Sequence, residues 1–79
     1  DGNAPLNVEI LDLAADSYPY AATIDAQRQL AYISLWGGAA VAIIDLKTWK
    51  QIGTLPTRSH PCEMKLLQDN KYLLVACAN

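Results

Sequence analysis

At 79 residues the chain holds at most one small domain, and a domain of that size buries only roughly 60–65% of the surface its unfolded chain exposes. Hydrophobic residues make up 52% and charged residues 18%, below the usual ~25%, a balance that suits segments packed on both faces. The net charge is −2 with scattered basic residues, so nothing reads as a nucleic-acid footprint, and the longest apolar run, 39–44, is far short of a membrane span.

In chain order, Asp1-Gly2-Asn3-Ala4-Pro5 is a polar lead-in without basic residues or an apolar core, so it does not read as a signal peptide. Residues 7–16 are ambiguous. Val8, Leu11 and Ala15 share one helical face, whereas residues 7–13 also fit a strand. Residues 20–25 and 29–35 read as a hairpin. Trp36-Gly37-Gly38 then leads into a second apolar run, 40–46, and a Gly-Gly centre between two such runs is a hairpin signal. Thr48 to Leu55 forms the next strand and stops at Pro56. Residues 62–67 and 71–77 form a last hairpin around Asp69-Asn70, a pair that tolerates the positive φ of a tight turn.

These elements echo one another at a single constant offset. Residues 9–37 lie over 51–79 without a gap, with Ile10/Ile52, Leu13/Leu55, Ser17/Ser59 and Pro19/Pro61 identical. Tyr18-Pro19 recurs as His60-Pro61. A period in the low forties built of short strands is the signature of propeller blades. The echo favours the strand reading of residues 7–13, which map onto 49–55. The expected fold class is therefore all-β: a β-propeller fragment of antiparallel four-stranded blades, about one and three-quarter of them. Residues 7–19 would supply the outer strand of a preceding blade and a loop. Residues 20–55 would form a full blade, and 56–79 a loop and the inner half of the next.

Several segments carry a family resemblance: Pro61, Gln68-Asp69-Asn70-Lys71, Tyr72 through Asn79, Ala31-Tyr32-Ile33-Ser34, Val41 through Leu46 and Thr48-Trp49-Lys50. On these residues the chain resembles the YVTN-type β-propeller repeat proteins of surface layers and the periplasm. The Trp-Gly at 36–37 and the Ala-Cys-Ala-Asn at 76–79 look most like propellers that precede a phosphoesterase domain. The resemblance implies an exported protein of the periplasm or cell envelope. It also implies partners in the remaining blades or a neighbouring domain. The sequence departs from the pattern at Gln27-Arg28 and Asp69-Asn70, where the family has Asp-Gly. It departs again at Trp49, a turn position that normally favours positive φ.

Strand polarity places Tyr18, Tyr20, Trp36, Arg58, His60 and Cys62 near one rim. Tyr18, Trp36, Arg58 and His60 are the candidate binding residues, since aromatic and cationic side chains suit stacking and anion contacts. The competing expectation is that Tyr18 and His60 brace the Pro turns while Trp36 covers an apolar edge. His60 lacks the three or four converging ligands a metal needs, and no cofactor motif is present. Asp45 is expected to accept from following backbone N–H groups in an Asx turn. A two-residue turn at Asp69-Asn70 would set Cys62 directly opposite Cys77, so these two are a candidate cross-strand disulfide, with two free thiols as the alternative.

No nucleophile, acid–base pair or P-loop appears, so no catalytic residue is assigned. The expected function is a non-catalytic scaffold or binding module for an unidentified ligand. The alternative is the propeller part of an enzyme, a phosphoesterase or a cofactor-dependent oxidoreductase, whose catalytic residues lie outside this chain.

Overall fold

The computed structural model describes residues 10–13 and 16–78. Among these residues there are six strands: β1 (Pro19–Asp25), β2 (Leu30–Leu35), β3 (Ala40–Asp45), β4 (Lys50–Pro56), β5 (Pro61–Leu67) and β6 (Tyr72–Cys77). They form two antiparallel sheets, one ordered β1-β2-β3-β4 and one consisting of β5-β6, and neither sheet closes on itself. No helix occurs among the described residues. The all-β expectation holds, and the strand limits fall close to those read from the sequence.

Four-residue loops connect the strands of the larger sheet. Each loop ends on a residue with positive φ: Gln29 at 55°, Ala39 at 50° and Trp49 at 58°. Loops of this length are built around a type I turn followed by a left-handed residue, which returns the chain into register. The Gly-Gly signal at 37–38 therefore marked the right loop for the wrong reason. Among the described residues no glycine has positive φ, and Ala39 supplies the left-handed step. The 68–71 loop is tighter in hand, with Gln68, Asp69 and Asn70 all at positive φ.

The pairing of β5 with β6 is the pairing of β1 with β2 carried forward by the sequence offset. Asp25↔Leu30 becomes Leu67↔Tyr72, and Pro19↔Leu35 becomes Pro61↔Cys77. Both hairpins also carry the same irregularity. The register slips between Pro19 and Ala22 and again between Pro61 and Met64, the mark of a β-bulge. A third slip, between Ile43 and Ile44, leaves Ile52 of β4 without a directly opposed residue and 57% exposed.

Because side chains alternate across a strand, each sheet has two faces. One face of the larger sheet holds Ala31, Leu35, Ala42 and Ile44, all buried, with Ile33 and Ala40 beside them. Leu11 and Leu13 pack onto this cluster, so we call it the strap face. Fully burying a side chain such as Ile44 is worth roughly 1.5–3 kcal/mol. The opposite face carries Asp25, Ser34 and Val41, each fully excluded from solvent, and is the one to which the β5–β6 hairpin is tied. In that hairpin Met64, Leu66, Leu73 and Val75 are half-buried while Lys65, Tyr72, Leu74 and Ala76 are exposed. The hairpin thus lays its strap-type face on the other face of the larger sheet, which we call the stack face.

The expected outer strand at residues 7–13 is not formed in its described part. Residues 10–13 pair with no strand, although their exposure alternates, with Leu11 and Leu13 turned inward. Their counterparts in β4 pair with β3, and among the described residues no strand lies beside residues 10–13. Leu11 and Leu13 hold this segment to the sheet by hydrophobic packing. The rest of that segment, residues 7–9, 14 and 15, lies outside the described residues, as does Asn79.

Candidate functional site at the shared rim

The β2–β3 loop and the segments leading into β1 and β5 meet at one end of the molecule. Trp36 N donates to Tyr18 O and Gly37 N to Ser17 O, both at 2.9 Å. At the equivalent place in the smaller sheet, Ala78 N donates to His60 O, also at 2.9 Å. Tyr18 and His60 therefore do the same backbone job, and both have positive φ, 49° and 55°. Each precedes a proline, which removes the N–H that would otherwise continue the ladder at that point.

The side chains at this rim converge in part. The Trp36 indole stacks on the His60 imidazole, with ring centroids 4.1 Å apart and planes inclined at 27°. This contact joins the larger sheet to the connection that leads into the smaller one. The Tyr18 ring lies over Gly37 and leaves it no room for a side chain: a Cβ there would collide with both Tyr18 Cδ2 and Asp16 O. Arg58 lies two residues before His60, exposed, and its guanidinium makes no hydrogen bond or ion pair among the described residues. Cys62 Sγ donates to His60 O at 3.3 Å. Of the four candidate binding residues, the structure brings Trp36 and His60 into contact and sets Tyr18 beside them through the backbone. Arg58 joins them by position in the chain alone.

The cysteine register needs correction. The bulge in β5 shifts the pairing by one residue, so Cys77 faces Pro61 rather than Cys62. The chain passes from β5 to β6 through residues 68–71 and pairs with no slip as far as Met64↔Val75; the slip then falls between Met64 and Pro61. Both cysteines are free thiols, Cys62 half-buried and Cys77 exposed.

Two polar clusters absent from the sequence-based expectations tie the sheets together. In the first, the bulge in β1 sets Tyr20 and Ala21 opposite Ser34 and frees the Ala21 N–H. Ser34 Oγ accepts that N–H at 3.0 Å and donates across to Cys62 O, in the matching bulge of β5, at 2.7 Å. In the second, Asp25 Oδ1 accepts from Arg28 N at 3.2 Å and from Asn70 Nδ2 at 3.1 Å, while Oδ2 accepts from Arg28 Nη1 at 2.5 Å. The same Nη1 donates to Asn70 O at 2.7 Å. The Arg28 hydrogen bond holds the Asp25 carboxyl below its ordinary value, and Asp25 in turn raises Arg28. Arg28 and Asn70 are themselves equivalent positions of the echo. A sequence signal for the pair of Asp25 and Arg28 existed: an acid at a strand end with a base three residues on, where the echo has Leu67.

Asp45 behaves as expected of an Asx turn, its Oδ1 accepting from Lys47 N at 2.8 Å. Among the described residues no three His, Cys, Asp or Glu side chains converge and no enclosed pocket is present. Among the described residues no helix is long and apolar enough to cross a membrane. No family model, curated protein or solved structure matches the chain. The reading of function therefore rests on geometry.

Proposed function

We propose that the chain is a non-catalytic scaffold and binding module, about one and three-quarter blades of a β-propeller, which presents the Trp36–His60 rim with Tyr18 and Arg58 to a ligand or a neighbouring domain. One observation carries this reading: the β1–β2 hairpin and its later copy, β5–β6, stack with unlike faces together, strap-type on stack-type. Stacking of this kind is heterologous, so each unit leaves a free face for the next. Repeat architectures grow in this way, since one unit cannot cover its own faces. The stacked aromatic pair, with Arg58 two residues before His60 in the chain, supports a rim that holds a planar or anionic group.

The test completes the second unit. In the echo Asn79 corresponds to Gly37, so residues 38–56 are copied and attached after Asn79. The added segments should pair onto β6 as β3 and β4 pair beyond β2. Hydrogen exchange at those β6 amides that point away from β5 should slow, and the urea midpoint should rise. Fast exchange along β6, with the added residues unstructured, would end the blade reading.

A further inference from the structure

Among the exposed apolar side chains, two groups lie on sheet faces that the internal stacking leaves open. On the β5–β6 hairpin, Tyr72 and Leu74 are each 59% exposed, on the face that also carries Lys65, Leu67 and Ala76. On the larger sheet, Ile24 is 60% exposed, beside Ala22 on β1. Their places in the stacking differ. Ile24 is on the strap face, because it pairs with Ala31; Tyr72 and Leu74 are on a stack-type face, because they correspond to Leu30 and Tyr32.

Within the chain these two kinds of face already fit each other. The strap-type face of the hairpin covers the stack face of the larger sheet, with β5 lying against β1 and β2. The strap face of the larger sheet is only partly filled. Leu11 and Leu13 cover the cluster of Ala31, Leu35, Ala42 and Ile44, while Ile24, on the edge strand, stays open. That opening lies over β1, where a preceding inner strand would sit if the internal stacking were continued backwards.

From this continuity we infer that the chain associates head to tail with a second copy of itself: the Tyr72–Leu74 face of one molecule docks on the Ile24 side of the next. The inference rests on the stacked-unit reading above. A contact of this type joins unlike surfaces, so it extends into a chain or ring of copies and is not satisfied by a symmetric dimer. Apart from Lys65 both surfaces are apolar, and their large side chains are exposed among the described residues, so joining them covers two patches at once.

Sedimentation velocity on the full chain across a concentration series tests it, with Leu74→Lys and Ile24→Lys as probes. Both positions are exposed, and far-UV circular dichroism checks that the fold survives; Leu74→Ser and Ile24→Ser repeat the comparison should a lysine unfold the chain. The wild type should grow steadily in size with concentration, and each variant alone should stay monomeric. Mixing the variants should give a species of two chains and nothing larger, because Ile24→Lys keeps a good tail and Leu74→Lys a good head. A monomeric wild type overturns the inference. So do variants that associate as the wild type does, which would point to pairing along the β6 edge, or a mixture that stays monomeric. The blade reading is judged separately, by β6 exchange in the extended chain.

Discussion

Two positions in one loop, Gly37 and Ala39, respond to a change of one methyl group in opposite ways. Gly37 has no need of unusual backbone angles, but its N–H reaches Ser17 O and its α-carbon lies against the Asp16 carbonyl and the Tyr18 ring. A Cβ would run into a backbone oxygen, which cannot swing aside as a side chain would. Gly37→Ala should therefore cost about 1–3 kcal/mol, the usual penalty for overpacking, seen as a lowered urea midpoint. Ala39 has the reverse problem, with φ of 50° and a Cβ that crowds the following carbonyl. Left-handed geometry costs an L-residue roughly 1–2 kcal/mol, and glycine returns part of that gain as extra unfolded-state freedom. Ala39→Gly should stabilise by about 0.5–1 kcal/mol. A loss of stability there would mean that the alanine methyl packs more usefully than its backbone strain costs.

At the scale of the element, the paired bulges determine how the sheets meet. A bulge leaves a backbone N–H without a ladder partner, and Ser34 is placed to take the one from Ala21. Its own proton then goes to Cys62 O on β5. Ser34→Ala would leave a buried donor and an acceptor unsatisfied, at roughly 1–3 kcal/mol. The loss should be local: amide exchange should quicken in β5 and β6 more than in β3. Uniform quickening would mean that Ser34 supports the larger sheet alone. The strands themselves were legible in the sequence, since apolar runs bounded by turn residues and repeated at one spacing leave few alternatives. The bulges were not, because nothing in Pro19-Tyr20-Ala21 or Pro61-Cys62-Glu63 marks an extra residue, and the one-residue slip is what displaced Cys62 from Cys77. Residues 10–13 stay unpaired for a related reason. Their pattern is that of a strand, but a strand needs an edge to pair with, and periodicity does not report whether one is at hand. Of the rim, the loops that meet there could be read from strand polarity; the Trp36–His60 stack depends on two sheets packing and lies beyond any local signal.

For the molecule as a whole, the stacking of one sheet on the other depends on a carboxylate with no exposure to solvent. Asp25 accepts two hydrogen bonds from Arg28 and another from Asn70 on the smaller hairpin, and the ionised form offers lone pairs to all three donors. Its carboxyl is held below the ordinary value, so folding favours the ionised form. The sign follows from linkage: the unfolded chain takes up a proton first as pH falls, so this contribution is complete above the unfolded value, about 3.9, and is lost as pH drops through the lower folded one. Acid should therefore loosen the β5–β6 hairpin from the larger sheet below the ordinary carboxylate range, with β6 amides exchanging before those of β3. Asp25→Asn should lower the urea midpoint at neutral pH and flatten its dependence in that acid window. An amide keeps one acceptor oxygen but sets an NH2 in place of the other, against Arg28 or against both Arg28 and Asn70, so it cannot reproduce all three contacts. If the variant keeps both the wild-type midpoint and the wild-type acid slope, the sheets are held by packing and the Ser34 bridge instead.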